Sequence, residues 1–454
     1  MPDLDGIFKA YDVRGVYPDE IDESVARGVG NAFVVFTGAA RVLVGRDARP
    51  SGESLVAAFT EGAVTAGADV VDLGLASTDL VYFASGHLDA PGAMFTASHN
   101  PAQYQGIKLC RAGAAPVGEE TGLRQLKATV AAGLFEEADA PGRVEHRDLL
   151  PEFVAHVHSF VDVQALAPLR VIADTANGIG GLVVPAVFDG LPVRSSILFG
   201  ELDGTFPNHP ADPIQPENLR DLQAAVVAEN ADIGLAFDGD ADRVFLVDDR
   251  AQPMSGSLTT SLVARAILER LPDAAPPEDR TVVHNLICSK AVAEIVRELG
   301  GTPVRARVGH SFIKQVMAET GAIFGGEHSG HYYFRDNFRA DSGLIAALVV
   351  LEALSRAGVP MSELRAPLER YAASGEINSR VEDPASRIEE VAAAYADAEQ
   401  DRLDGLTVDL GDWWFNLRPS NTEPLLRLNL EAADEESCRR HTAEVLARVR
   451  GEAD

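Results

Sequence analysis

Ser98 stands in Thr96-Ala97-Ser98-His99-Asn100-Pro101, directly after the apolar run Gly92-Ala93-Met94-Phe95. A hydroxyl held in a tight polar turn faces outward, as a nucleophile or phosphate carrier must. The turn alone is weak, because Ser, Asn and Pro are ordinary turn residues. Lys108 ends Gln105-Gly106-Ile107-Lys108. Beside a phosphoserine it could stabilise the transferred charge or move a proton, although a lone lysine is more often a surface residue. Asp238-Gly239-Asp240-Ala241-Asp242-Arg243 follows the strand-like Ile233-Gly234-Leu235-Ala236-Phe237. Three carboxylates at alternate positions around a glycine can converge on a hard dication such as Mg²⁺. An acidic turn is the bland reading, but close carboxylates repel unless something positive binds them. An EF-hand fails, since Arg243 stands where that loop needs Gly and Asp249 where it has Glu. The charge of three carboxylates exceeds one dication, so a basic partner is expected, and Arg243 is the candidate.

Two further loops carry polar groups. Gly325-Gly326-Glu327-His328-Ser329-Gly330-His331 follows Ala322-Ile323-Phe324. Glu accepts from sugar hydroxyls and Ser can both donate and accept, so the loop suits a polyhydroxyl ligand. A zinc site on Glu327, His328 and His331 is the rival, without a helical H-E-x-x-H to fix it. Arg418-Pro419-Ser420-Asn421-Thr422-Glu423-Pro424 joins two strand-like segments and is rich in donors. Such a turn can make an anion nest for a spectator phosphate, or can be an ordinary hairpin loop. Lys9-Ala10-Tyr11-Asp12-Val13-Arg14-Gly15 puts cations beside an aromatic, and Val308-Gly309-His310-Ser311 puts a histidine where it could move protons.

The elements that must position these loops recur. Val42-Leu43-Val44-Gly45-Arg46-Asp47, Arg170-Val171-Ile172-Ala173-Asp174 and Val282-Val283-His284-Asn285 each end in a polar turn before a helical stretch. Strand, polar loop, helix is the unit of an α/β sheet. Three copies predict three α/β domains, at 1–150, 151–253 and 254–367. Beyond residue 367 the pattern changes to alternation. Trp413, Phe415 and Leu417 alternate with Trp414 and Asn416, and Leu426, Leu428 and Leu430 with Arg427, Asn429 and Glu431. These read as half-buried antiparallel strands of an α+β domain over 368–454, with Cys438, Val445, Leu446 and Val449 at helical spacing.

Composition narrows the partners. The 454 residues include 39 basic and 69 acidic ones, a net charge of −30. That argues against nucleic acid and against an anionic membrane. An anionic ligand would therefore need a local basic island. Cys110, Cys288 and Cys438 are too few and too scattered for a disulfide framework or a zinc site. Asp3 and Asp5 near the N-terminus speak against a signal core. The apolar run 344–351 is well short of the about 20 residues that span a bilayer and reads as a buried helix capped by Asp341 or Ser342. A cytoplasmic protein is the simplest expectation.

A hydroxyl, a metal site, sugar contacts and phosphate contacts suit phosphoryl transfer between a serine and a phosphosugar. The chain resembles the α-D-phosphohexomutase superfamily, and within it the bacterial phosphomannomutase/phosphoglucomutase branch. The resemblance runs the whole length, with the motifs in the family's order. Thr96-Ala97-Ser98-His99-Asn100-Pro101 is similar to its phosphoserine loop, and Asp238, Asp240 and Asp242 to its Mg²⁺ ligands, with a phosphoserine oxygen on Ser98 as the fourth. Gly326-Glu327-His328-Ser329-Gly330-His331 is similar to its sugar-specificity loop, and Arg418, Ser420, Asn421 and Thr422 to its phosphate-binding loop.

That resemblance implies three α/β domains with mixed sheets and a C-terminal α+β domain around a central cleft. It implies catalytic roles for Ser98, Lys108, Arg14, His310 and His331. Substrate contacts would come from Tyr11, Glu327, Ser329, Arg418, Ser420, Asn421, Thr422 and Arg427, with Arg243 and His99 supporting the metal site. Mg²⁺ and a hexose 1,6-bisphosphate activator are the implied cofactors. Hexose phosphates are the implied ligands, bound by a monomer or homodimer. The sequence departs from the branch at Ile287, where a lysine is frequent, and at Val308, where a threonine is common. His328 and the Tyr11 to Gly15 motif favour mannose and glucose phosphates over an amino sugar. A phosphoglucosamine mutase, a Mg²⁺-dependent sugar phosphatase and a non-catalytic sugar-phosphate-binding protein are the alternatives.

Overall fold

All three expected strand, loop and helix units form in a computed structural model that describes residues 3–272, 274–419 and 425–451. Strand Arg41–Arg46 leads into helix Gly52–Thr65, Arg170–Asp174 into Gly180–Phe188, and Thr281–Asn285 into Lys290–Glu298. Each helix returns the chain to a parallel strand on one side of the first: Asp69–Leu75, Arg194–Leu198 and Thr302–Ala306. A second helix follows (Thr78–His87, Arg220–Glu229, His310–Thr320) and delivers a parallel strand on the other side: Gly92–Phe95, Ile233–Phe237 and Phe324–Gly326. Parallel neighbours require such crossovers, whereas an antiparallel neighbour needs only a tight turn. That turn comes next, into Tyr104–Arg111, Val244–Asp248 and Tyr332–Phe334.

The serine loop, the acidic loop and the loop over 327–331 therefore hold one equivalent position in three sheets of the same order. Each is the turn between the last parallel strand and its antiparallel neighbour. Added strands make the first sheet seven-stranded and the second five-stranded, while the third keeps four. All three are mixed.

The fourth sheet is wholly antiparallel, in the order Ala372–Arg380, Leu425–Ala432, Trp413–Pro419, Leu406–Asp409, Glu399–Asp401. Helices Pro384–Ala394 and Glu435–Arg450 accompany it. Its central strands are not half-buried as the alternation suggested. Trp414, Asn416, Asn429 and Glu431 are buried as well as their apolar neighbours. The second face is covered because this sheet docks against the third. Lys290 N donates to Glu431 Oε2 at 3.0 Å, Trp414 Nε1 donates to the same oxygen at 2.8 Å, and Lys290 Nζ donates to Asp409 at 2.6 Å. Alternation reports the chemistry of the two faces; here the polar face packs on another domain.

The apolar run over 344–351 lies in helix Gly343–Ala357, and every residue of it is buried. Ser342 is the cap, accepting from Ile345 N. Among the described residues no single helix is long and apolar enough to cross a membrane. Leu348 is fully enclosed in a core shared by the first three sheets. Leu348→Ala should therefore cost about 2–5 kcal/mol, read as a lower denaturant midpoint by circular dichroism. An unchanged midpoint would place this helix outside the stabilising core.

Candidate active site

The equivalent turns of the first two sheets meet face to face. Ser98 sits 5% exposed with φ of +50°. Its Oγ donates to Asp238 Oδ2 at 2.8 Å and accepts from Arg243 Nη2 at 2.9 Å. The approach depends on Gly239, since a Cβ there would lie 2.4 Å from the Ser98 carbonyl oxygen. The loop is tied from behind as well: Ser98 N donates to Thr96 Oγ1 at 2.9 Å, and Thr96 Oγ1 donates to Asp47 Oδ2 at 2.7 Å.

Asp238, Asp240 and Asp242 are all buried, and one oxygen from each lies within 4.8 Å of the others. Two cations face them. Lys108 Nζ bridges Asp240 Oδ2 and Asp242 Oδ2, both at 2.7 Å, and Arg243 Nε donates to Asp238 Oδ2 at 2.8 Å. Arg243 is thus the expected basic partner, and Lys108 is a second one. Thr78 Oγ1 adds a bond to Asp240 Oδ2 at 2.6 Å. Burial pushes Asp238 well above the usual carboxylate range against the pull of Arg243. Burial, then the neighbouring Asp240, push Asp242 up to about 6. For Asp240 burial acts upward too, but Lys108 outweighs it and holds the group below its ordinary value. Burial likewise opposes the charge of Lys108, but Asp240 and Asp242 outweigh it and keep the ammonium charged.

The donor set fits a hard cation. Asp240 Oδ1 and Asp242 Oδ1 are buried without a hydrogen-bond partner, and all the candidate ligands are oxygens. The cluster could bind a metal.

The 327–331 turn closes the second side. Arg243 and His331 form an antiparallel bridge, so the acidic loop and this turn are directly paired. Ser329 Oγ donates to Glu327 Oε2 at 3.0 Å, and Glu327 Oε1 accepts from Gly309 N at 3.3 Å. His331 Nδ1 is 3.0 Å from Ser329 Oγ. One hydroxyl proton cannot serve both neighbours, so when Glu327 is ionised and accepts it, His331 donates from Nδ1. In that state its Nε2, 3.8 Å from Asp242 Oδ1, is an acceptor. Burial, then Arg243, hold His331 well below the ordinary imidazole value, so the ring is neutral.

Tyr11 reaches across from the first sheet. Its hydroxyl donates to Val308 O at 3.3 Å, its ring meets His310 edge-on with centroids 5.0 Å apart, and Gly309 (φ +131°) leaves room for it. Burial, then Lys314, push His310 down to about 3. Arg14 Nη1 donates to Asn100 Oδ1 at 2.5 Å and to Ala97 O at 3.3 Å, on the serine loop. His99 Nδ1 accepts from Arg243 Nη2 at 2.5 Å, and Arg243, then burial, lower its ring to about 2.

The predicted residues of the first three domains thus converge. Arg418 and Arg427 do not join them by direct contact. They are register partners on the fourth sheet and share Glu376, at 2.7 and 3.2 Å. Arg418 is near enough for its charge to act on Tyr11 and Glu327. Ser420, Asn421 and Thr422 lie outside the described residues. Sequence reasoning missed Thr78, Arg49 and Glu376, which carry no motif signal. It also missed the buried pair Lys314–Asp341 at 3.0 Å, although Lys314 lies one helical turn after His310.

Known proteins match this chain over most of its length. Models of the phosphoglucomutase/phosphomannomutase alpha/beta/alpha domains I, II and III match residues 5–137, 151–252 and 255–371, and the model of the C-terminal domain matches 376–448. A phosphomannomutase of Salmonella typhimurium is 40% identical over 436 residues, covering 94% of each chain. Phosphohexose mutases of Xanthomonas campestris are 41% identical over 430 residues, covering 93% of this chain and 94% of theirs. The crystal structure of a phosphoglucomutase/phosphomannomutase family protein from Burkholderia thailandensis superposes with a TM-score of 0.89 at 33% identity, covering 100% of this chain and 99% of its own. The chain belongs to the phosphoglucomutase/phosphomannomutase family, a group of phosphohexomutase isomerases.

Two outcomes test the site. Mg²⁺ at about a hundred times its dissociation constant should stabilise the protein by about 2.7 kcal/mol, seen as a denaturation midpoint that EDTA reverses. Asp240→Asn should flatten that response; a metal-insensitive wild type would remove the cation from the site. Burial raises Glu327 from its ordinary 4.5 to about 7, so the neutral form is favoured in the fold. A raised carboxyl contributes stability at low pH and loses it as pH rises through about 7. Glu327→Gln should therefore gain on wild type between pH 5 and pH 8, and a pH-independent difference between their midpoints would contradict the assignment.

Proposed function

We propose that this enzyme interconverts hexose 6-phosphate and hexose 1-phosphate, with mannose and also glucose as the sugar, through a phosphoserine at Ser98 and a hexose 1,6-bisphosphate. The observation that carries the reading is the contact of Ser98 Oγ with both Asp238 and Arg243 at the buried acidic cluster. A hydroxyl so placed puts a phosphoryl group between the Arg243 guanidinium and the acidic cluster that could hold a metal.

Mg²⁺ held by Asp238, Asp240 and Asp242 and a phosphoserine oxygen would neutralise phosphoryl charge and polarise the phosphorus. Charge balance supports this. With all three carboxylates ionised, as metal ligands must be, Lys108 and Arg243 leave one negative charge in excess. A dication reverses that excess, and the roughly −1.5 to −2 of a phosphoserine reverses it again.

Lys108 and Arg243 stabilise the equatorial oxygens during transfer, where positioning and electrostatics supply most of the rate. Proton transfer to and from the sugar hydroxyl falls to a neutral imidazole rather than to charged Lys108. His331, with Nε2 bare, is placed for it, and His310 is the second candidate. Arg14 holds the serine turn and faces the incoming phosphate. Glu327 and Ser329 grip ring hydroxyls, Tyr11 lines the opening, and the spectator phosphate docks on Arg418 and Arg427 with Ser420, Asn421 and Thr422. His99 buttresses Arg243. The bisphosphate turns end for end between transfers, while the fourth domain opens and closes. Hexose 1,6-bisphosphate restores phosphate to Ser98 after it is lost.

Three buried, unpaired thiols suit a reducing compartment, and residence in the cytoplasm as a monomer or homodimer is part of the proposal.

The deciding experiment is ³¹P NMR of the protein with Mg²⁺, a trace of hexose 1,6-bisphosphate and mannose 1-phosphate or glucose 1-phosphate. Appearance of the 6-phosphate without free phosphate is expected. Free phosphate would make the enzyme a phosphatase, and silence with both sugars would leave an amino-sugar mutase or a binding protein. Ser98→Ala should abolish most turnover and keep sugar-phosphate binding. Arg418→Ala should mainly raise KM.

A further inference from the structure

Among the described residues Arg49 is one of the largest fully buried side chains, and the reaction does not touch it. It stands on the loop after strand Arg41–Arg46, behind the serine turn. All five guanidinium N–H groups are used. Nε donates to Asp47 Oδ2 at 3.1 Å, Nη1 to Pro101 O at 2.8 Å and Tyr104 O at 3.0 Å, and Nη2 to Ser98 O at 2.8 Å and Asn100 O at 2.6 Å. One rigid planar fork thus gathers four carbonyls from a single short stretch of chain.

That arrangement has a consequence for the hydroxyl. Ser98 occupies the left-handed region, which is unfavourable for a non-glycine residue, so something must hold it there. Pulling its carbonyl onto Arg49 directs the other side of the residue, with Oγ, at Asp238 and Arg243. Asp47 completes the frame. It neutralises Arg49 and, through Thr96 Oγ1, fixes Ser98 N. The frame is closed from the second domain: the Phe206 ring lies 5.0 Å from the guanidinium carbon, and a Cβ on Gly204 would fall 2.4 Å from Arg49 Cα.

We propose that Arg49 is a positioning residue for phosphoryl transfer, acting through the backbone of the Ser98 turn to hold Oγ against the acidic cluster. The proposal rests on the reading of Ser98 as the phosphoryl carrier. Lysine cannot replace this arginine, because an ammonium offers three donors from one point and no planar fork.

Arg49→Lys keeps the charge beside Asp47 and is the variant of choice. Hydrogen exchange in the peptide over 96–105 should quicken about tenfold with the rest of the molecule unchanged. A displacement of the hydroxyl by about 1 Å should lower kcat by about a hundredfold, with KM for the hexose 1-phosphate held within about twofold. Uptake of a phosphoryl group by Ser98 from hexose 1,6-bisphosphate, followed by intact mass, should slow in step with kcat. Wild-type exchange in that segment, or a loss expressed in KM with kcat preserved, would overturn the proposal. Exchange is read without substrate. If wild-type enzyme showed no mutase turnover, the functional reading would fail while the effect on the turn was still measured.

Discussion

Everything in this molecule is arranged around three carboxylates that should not be together. Asp238, Asp240 and Asp242 lie within one ligand sphere of each other in a buried site. Buried charges of like sign survive only when paired. The pairing is supplied from two directions: Lys108 from the first sheet, on the strand that leaves the serine turn, and Arg243 from the acidic loop itself. The same two cations are what a phosphoryl group would need. The interaction that makes the fold tolerable therefore also supplies the charges that the proposed transfer would use.

The topology explains how such a site can be built from distant segments. In three sheets of one order, the functional loop is always the turn after the last parallel strand. These turns face one another, so their backbones must approach closely. Gly239 allows the acidic loop to lie on the Ser98 carbonyl, and Gly343 performs a similar service where helix Gly343–Ala357 meets the backbone of Arg243. Ser342, the cap of that helix, donates to Asp79, whose helix N-terminus in the first domain holds the backbone of Asp240 through Thr78 N. Core, cap and active loop are one connected structure.

The fourth sheet stands apart in its bonding. Its contacts to the third domain are ionic and polar, including Lys290 with Asp409, Arg305 with Asp401, Arg370 with Glu294 and Glu298, and Val308 N with Asp404. Partly exposed ion pairs of this kind contribute modestly each and weaken with salt. The core of the fourth domain is a cluster separate from that of the first three, so the opening proposed above would break no apolar core. Arg418 and Arg427, directly opposed on neighbouring strands, would repel without an anion, and Glu376 fills that place.

Much of this was legible in the residues themselves. The serine turn, the alternating aspartates, the glycine-rich loop and the arginine hairpin are local patterns, because each is a short turn whose chemistry lies within a few residues. The strand and helix units were legible for the same reason, as was the burial of helix Gly343–Ala357 from its unbroken apolar run. The polar face of the fourth sheet was misjudged, since alternation does not reveal a neighbouring domain. Arg49, Thr78 and Glu376 were invisible, because a buried arginine and a surface arginine are the same letter. The sequence by itself determined which groups could do chemistry and which elements would carry them. Only the tertiary structure decided that Lys108 binds two carboxylates, that His331 lies between Ser329 and Asp242 and that Arg49 holds the serine turn. Those facts depend on distances between segments up to a hundred and more residues apart, which no local pattern encodes.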